Sequence, residues 1–301
     1  MFRRLRFTPS VFADAFIKEM AQKGFRSRSF ALLMGIFFVL WMILNITTSE
    51  NVQLALYSPK LIASALLGNE LDLTSKCQLM KKNHYFCIGT SDICGPMDEY
   101  TSRGKPNDGE LCRKLNEMGS DKCSRHNYPD YYHYFFKKIS NRKLNILEIG
   151  LGSQVDPRFK SQMKKNFTIG GSQRVWRDYF TNSQIFGADV NPDIIFEEER
   201  LKTFHVDITK NETLNAMFDK IGVQLDILID DSLHEPGPQE NLLSVAFEKI
   251  KPGGFYIVED VSSETFCDKA LQSYLRRGFK SFAFIRTNKI YDSVLSIIKK
   301  P

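Results

Sequence analysis

The sequence predicts an α/β fold: a doubly wound, mostly parallel seven-stranded sheet with a C-terminal antiparallel hairpin, preceded by an N-terminal transmembrane helix. Two observations predict the sheet and a third predicts the helix. From Asn145 onward, short apolar runs alternate with stretches whose apolar residues recur at helical spacing, as in βαβ units. The last two runs are separated only by TNKIYD, a connector of hairpin length. Upstream, the 17 residues Phe30–Ile46 contain no charged side chain, roughly 25 Å of helix at ~1.5 Å per residue, just short of a ~30 Å hydrocarbon core.

Residues 1–28 form a basic tail, with Arg3, Arg4, Arg6, Lys18, Lys23, Arg26 and Arg28 against Asp14 and Glu19. That tail supplies most of the net charge of +6, so the rest of the chain is near neutral and offers no basic groove for nucleic acid. Basic residues crowd one flank of the apolar segment and none occurs between Ile46 and Lys60. By the positive-inside rule, residues 29–48 are then a signal-anchor, with the tail cytosolic and the catalytic region across the membrane. The expected location is that of a single-pass type II membrane protein of the secretory pathway, in the Golgi.

Residues 49–119 read as a stem and a cysteine-rich, loop-rich lumenal segment. All six cysteines (Cys77, Cys87, Cys94, Cys112, Cys123 and Cys267) follow the apolar segment, an even number in a compartment where disulfides persist. No Cys-x-x-Cys pair occurs among them, which disfavours zinc. The sequons at Asn166 and Asn211 agree with a lumenal location.

Within residues 120–301 the expected strands are NILEIG, QIFGADV, KTFHVD, DILIDD, FYIVEDV, SFAFIR and SVLSIIKK. Between them, Val175, Trp176, Tyr179 and Phe180 share one helix face, and Leu214, Met217, Phe218 and Ile221 another. Leu242, Leu243, Ala246, Phe247 and Ile250 make a third stripe. His126 and His133 fall in an aromatic helix, NYPDYYHYFF, expected to pack over the sheet.

Ligands of such sheets bind beyond the carboxyl ends of the strands, where strand order reverses. Acids stand at three successive strand ends here: Glu148 before Gly150 and Gly152, then Asp189, then Asp207. They are placed to meet a cationic amino group, a ribose diol and an adenine amino group. Asp230, Asp231, Glu259 and Asp260 end the next two strands, and crowding of like charge is costly without a cation. Hard oxygen ligands suit Mg²⁺, so Asp231, Glu259 and Asp260 are the expected metal ligands.

The stretch NILEIGLGS…GGSQRVWRDYFTNSQIFGADVNPD, followed by DILIDDSLH and KPGGFYIVEDV, resembles the macrocin O-methyltransferase type of class I S-adenosylmethionine-dependent methyltransferase. The resemblance spans about Ser120–Pro301. It implies that Glu148, Gly150 and Gly152 cradle the cofactor and that Ser172, at a helix N-terminus, binds its methionine carboxylate. It matches Asp231, Glu259 and Asp260 to metal ligands and His234 to the general base. One departure stands out: Gln154 occupies the usual third-glycine position, and Val155–Ile169 intervenes before Gly170-Gly171-Ser172.

The expected activity is Mg-dependent O-methylation of a sugar or glycan hydroxyl by S-adenosyl-L-methionine. A catechol-like diol as acceptor, or a non-catalytic glycan-binding protein that kept the fold, are the alternatives. The incomplete glycine pattern and the terminal hairpin disfavour a nicotinamide dehydrogenase.

Overall fold

The computed structural model describes residues 85–89, 91–103, 105, 109–152, 166–262, 267–287 and 293–301. The basic tail, the apolar segment Phe30–Ile46, Cys77 and Gln154 lie outside the described residues. Among the described residues, no helix is long and apolar enough to cross a membrane.

Nine strands form one sheet among the described residues: β1 (Tyr85–Ile88), β2 (Asn145–Ile149), β3 (Gln184–Asp189), β4 (Glu197–Glu198), β5 (Leu201–His205), β6 (Leu225–Asp230), β7 (Ile250–Ser262), β8 (Phe282–Thr287) and β9 (Ser293–Lys299). Their order is β1-β8-β9-β7-β6-β2-β3-β5-β4. Strands β5, β3, β2, β6 and β7 are parallel, and β9 runs antiparallel between β7 and β8. All seven expected strands are present, hairpin included. Two short strands were not expected: β1 pairs antiparallel with β8, and β4 with β5. Each takes up ladder groups that an open edge would leave unpaired.

Eight α-helices accompany the described sheet: α1 (Ser91–Arg103), α2 (Glu110–Glu117), α3 (Asp121–Ser124), α4 (Tyr128–Phe136), α5 (Gly171–Tyr179), α6 (Asn211–Ile221), α7 (Pro236–Ala246) and α8 (Gln272–Arg276). Successive strand residues face opposite sides, so the apolar runs feed two cores. Leu147, Phe186, Leu228 and Tyr256 join Leu214, Met217, Phe218 and Ile221 of α6 and Leu242, Leu243 and Ala246 of α7. Ile146, Ile185, Ile227 and Ile257 join Tyr128, Tyr132 and Phe136 of α4 and Val175 and Trp176 of α5. The helix stripes and the packing of the aromatic helix match expectation.

The cysteine-rich segment differs from expectation. Its described residues are not mainly loop: they supply β1, α1 and α2, and bury Ile93, Cys94, Met97, Leu111 and Leu115 in the second core. Disulfides Cys87–Cys94 and Cys112–Cys123 link β1 to α1 and α2 to α3. A segment with its own apolar stripe needs no loop-only scaffold, and composition concealed that stripe behind Gly, Asn and Asp.

Candidate active site

Strand order reverses between β2 and β6, and the site lies at their carboxyl ends. Beyond β2 the chain turns sharply at Gly150 (φ 112°) and Gly152 (φ 87°), a region of backbone conformation that side chains disfavour. A Cβ on Gly150 would fall 2.1 Å from the Asp231 carbonyl oxygen, and one on Gly152 would fall 1.9 Å from the Phe167 ring. The turn is held by backbone bonds from Gly150 N–H to Ala188 O (2.7 Å) and from Asp231 N–H to Ile149 O (3.0 Å). Absence of a side chain at Gly150 is thus what lets the β2 and β6 ends meet.

This turn opens onto a cavity of about 390 Å³, within the size range of small-molecule sites. Gly150, Gly152, Ser172, Asp189, Asp207, Asp231 and His234 all line it, with Met118, Phe167, Val190, Ile208 and Leu233 as apolar walls. Ser172 lies in the first turn of α5. Asp189 accepts from the backbone N–H groups of Leu151 (2.9 Å) and Asn191 (2.9 Å), and so also braces the turn. Burial of Asp207 would raise its pKa, but hydrogen bonds from Lys210 and Thr209 outweigh it and hold the carboxyl below the usual range.

Glu148 is placed differently from expectation. It is fully buried (0% exposed) and lies behind the residues that line the cavity, against Lys122. Its Oε2 accepts from the Trp176 indole (2.8 Å), and its Oε1 lies 3.0 Å from Lys122 Nζ. Lys122 also donates to Asp231 Oδ2 and Glu259 Oε2, both at 2.6 Å. Burial lowers the Lys122 pKa, but the charges of Asp231, Glu259 and Glu148 outweigh it and hold it well above the usual lysine range. Burial pushes Glu259 well above the carboxylate range despite the opposing Lys122 charge.

Glu259 and Asp260 are consecutive yet both meet helix α4. Tyr132 donates to Glu259 Oε1 (2.5 Å), and Tyr128 donates to Asp260 Oδ1 (2.8 Å). The cause is a register shift between Val258 and Val261, where two β7 residues oppose one on β9. Asp260 there takes φ 51°. Such a bulge breaks the alternation of faces and re-aims side chains.

His234, also left-handed at φ 56°, brings Nε2 to 3.1 Å from Asp231 Oδ1 and 3.7 Å from Asp260 Oδ2. Asp231, His234 and Asp260 each offer a ligand atom within 4.8 Å of the others. The two carboxylates of this group fit a hard divalent cation, and the imidazole stands beside them. Glu259 does not join it, because Lys122 and Tyr132 hold its two oxygens. Burial lowers the His234 pKa, but its bond to Asp231 and the charges of Asp260, Asp231 and Asp230 outweigh this and raise it to about 9.

Sequence reasoning missed Lys122, Tyr128 and Tyr132, and underrated His126, whose Nε2 lies 3.5 Å from Asp260 Oδ1. One signal was available. Tyr128 and Tyr132 stand on the buried face of their helix, and a buried Tyr hydroxyl usually has a partner.

No family model matches the chain. Among curated proteins it is 32% identical over 145 residues to 8-demethyl-8-alpha-L-rhamnosyl tetracenomycin-C 2'-O-methyltransferase of Streptomyces olivaceus, covering 48% of this chain and 36% of that one. It is 29% identical to mycinamicin VI 2''-O-methyltransferase of Micromonospora griseorubida, covering 45% and 32%. Demethylmacrocin O-methyltransferase of Streptomyces fradiae is likewise 29% identical, covering 46% and 32%. The chain thus spans about a third of the length of the curated relatives it matches.

These relatives correct the expected localisation. They are proteins of bacteria, and among the described residues no helix is long and apolar enough to cross a membrane, so the expected placement as a single-pass Golgi membrane protein is not supported. The glycoprotein reading of Asn166 and Asn211 goes with it; the Asn166 side-chain amide donates to the carbonyls of Asn116 and Glu117. The motif order, the strand order and the relatives agree in one respect: the chain resembles class I S-adenosylmethionine-dependent methyltransferases of the macrocin O-methyltransferase type over about half of its length.

Proposed function

We propose that the protein transfers the methyl group of S-adenosyl-L-methionine to a sugar hydroxyl, with Mg²⁺ as its metal. The observation that carries this reading is that one cavity is shared by the glycine turn, Asp189 and Asp207 at one end and by Asp231 and His234 at the other. The relatives named above, all O-methyltransferases and one of them of a rhamnosyl group, support a sugar acceptor.

In this reading Gly150 and Gly152 let the backbone approach the cofactor, and the N-terminus of α5, at Ser172, receives its carboxylate. Asp189 takes the ribose hydroxyls and Asp207 the adenine amino group. Glu148 acts from behind, fixing Trp176 and Lys122. Asp231 and Asp260 hold the metal, with Glu259 behind them. Mg²⁺ bound there supplies positive charge that makes an acceptor hydroxyl more acidic.

His234 is the general base. Its carboxylate neighbours keep the ring protonated up to about pH 9, so it becomes a base near neutrality once those charges are compensated. The sulfonium carbon–sulfur bond breaks as the carbon–oxygen bond forms, and the hydroxyl proton passes to His234. The cavity walls contribute alignment of the two reactants.

The test is methyl transfer from radiolabelled cofactor to a panel of glycosides, methyl rhamnoside included, and to catechol. His234→Gln is expected to lower the rate at least about 100-fold while cofactor affinity holds. Labelling of catechol alone would replace the sugar reading, and labelling of neither by cofactor-bound protein would overturn the methyltransferase assignment.

A further inference from the structure

The strand ends carry more buried acid than a metal site of this kind uses. Glu148, Asp231 and Glu259 come from the ends of three adjacent strands, β2, β6 and β7, and one ammonium lies among them. Lys122 is 1% exposed, and its Nζ lies 3.0 Å from Glu148 Oε1, 2.6 Å from Asp231 Oδ2 and 2.6 Å from Glu259 Oε2. An ammonium has three donors and no acceptor; Lys122 donates to Asp231 and Glu259, and Glu148 adds a third carboxylate at ion-pair distance.

The remaining oxygens divide unevenly. Glu148 gives its other oxygen to Trp176, and Glu259 gives its other oxygen to Tyr132. Only Asp231 is shared, with Oδ2 on Lys122 and Oδ1 toward His234. Lys122 is itself held in place: Ser120 caps the start of α3, and Cys123, its neighbour, is tied to Cys112 on α2.

We propose that Lys122 is a built-in cation that partitions the acidic strand ends, withholding Glu259 from the divalent-cation site and leaving that site the carboxylates of Asp231 and Asp260. The inference rests on the reading of Asp231 and Asp260 as metal ligands. Lys122 is a positioning residue: it touches the carboxylates and acts on the metal through them. Two carboxylates in place of three weaken the hold on the ion and leave more of its coordination positions for water and acceptor hydroxyls.

The partition is tested by Mn²⁺ binding to the full chain, read from the free-ion electron paramagnetic resonance signal. Wild type is compared with Glu259→Gln, Asp260→Asn and Lys122→Met, each checked for folding by circular dichroism. Asp260→Asn is expected to weaken binding at least about tenfold, whereas Glu259→Gln keeps it within about threefold. Lys122→Met is expected to tighten binding about tenfold, because a positive charge beside Asp231 is gone.

A loss in Glu259→Gln equal to that in Asp260→Asn overturns the partition and leaves the metal reading intact. So does a folded Lys122→Met that binds no more tightly than wild type; if Lys122→Met does not fold, Glu259→Gln decides alone. Binding by Lys122→Met but not by wild type supports the partition and removes the metal from the native mechanism. Binding by none of the four overturns both.

Discussion

At Gly150 any side chain would collide with the backbone of Asp231, 2.1 Å from the position of its Cβ, and the backbone conformation is itself unfavourable for other residues. Gly150→Ala is therefore expected to cost about 2–4 kcal/mol in urea unfolding. Gly237 is the control: a Cβ there meets nothing within 4 Å, so Gly237→Ala should be near neutral or slightly stabilising. His234 governs a different measurement. Its pKa in the fold, about 9, exceeds the ~6.5 of a free imidazole. Protonation therefore stabilises the fold, fully below about pH 6.5, and that stability is lost as pH rises through about 9. In metal-free protein the melting temperature should fall over that window, and His234→Gln should flatten this part of the slope; an unchanged slope would contradict the assignment of the shift to His234. At this scale the glycines, Asp189, Asp207, Asp231 and His234 were legible because each ends or follows a strand. Lys122 was not, since its partners Asp231 and Glu259 lie 109 and 137 residues away in the chain.

Among the elements, α2 and α3 determine where Lys122 lies. The Cys112–Cys123 disulfide closes a loop with a sequence separation of 11, and loops of this size are stabilised by about 2–3 kcal/mol on cross-linking. The double variant Cys112→Ser/Cys123→Ser is expected to lose about that much in denaturant unfolding. Reduction of the wild type should reproduce the loss at that bridge; an unchanged midpoint in the double variant would show that α2 and α3 are held by packing alone. The β7 bulge shows the limit of pattern reading. FYIVEDV reads as a strand with alternating faces, yet Glu259 and Asp260 both turn toward α4. That choice follows from the register of β9, which lies more than thirty residues downstream and pairs in place only after the sheet has assembled. The helix stripes, by contrast, depend on local spacing alone and were readable.

For the whole molecule, the parallel order and the terminal hairpin were legible from alternation and connector length. The upstream boundary was not. A domain beginning at Ser120 leaves out β1, which pairs with β8, and α1, whose Ile93 and Met97 are buried in the core beneath α4. A fragment of residues 120–301 should therefore aggregate or melt well below a fragment of residues 78–301, since it bares an apolar face and the β8 edge. Equal melting temperatures would restore the boundary at Ser120. The central claim, that the glycine turn and the acids beside it form an S-adenosylmethionine site, is tested most directly by calorimetric titration of the oxidised full chain with the cofactor. Saturable binding is expected for wild type, weakened about tenfold by Asp207→Ala and kept within about threefold by Asp231→Ala. Absence of binding to folded, oxidised wild type would contradict it.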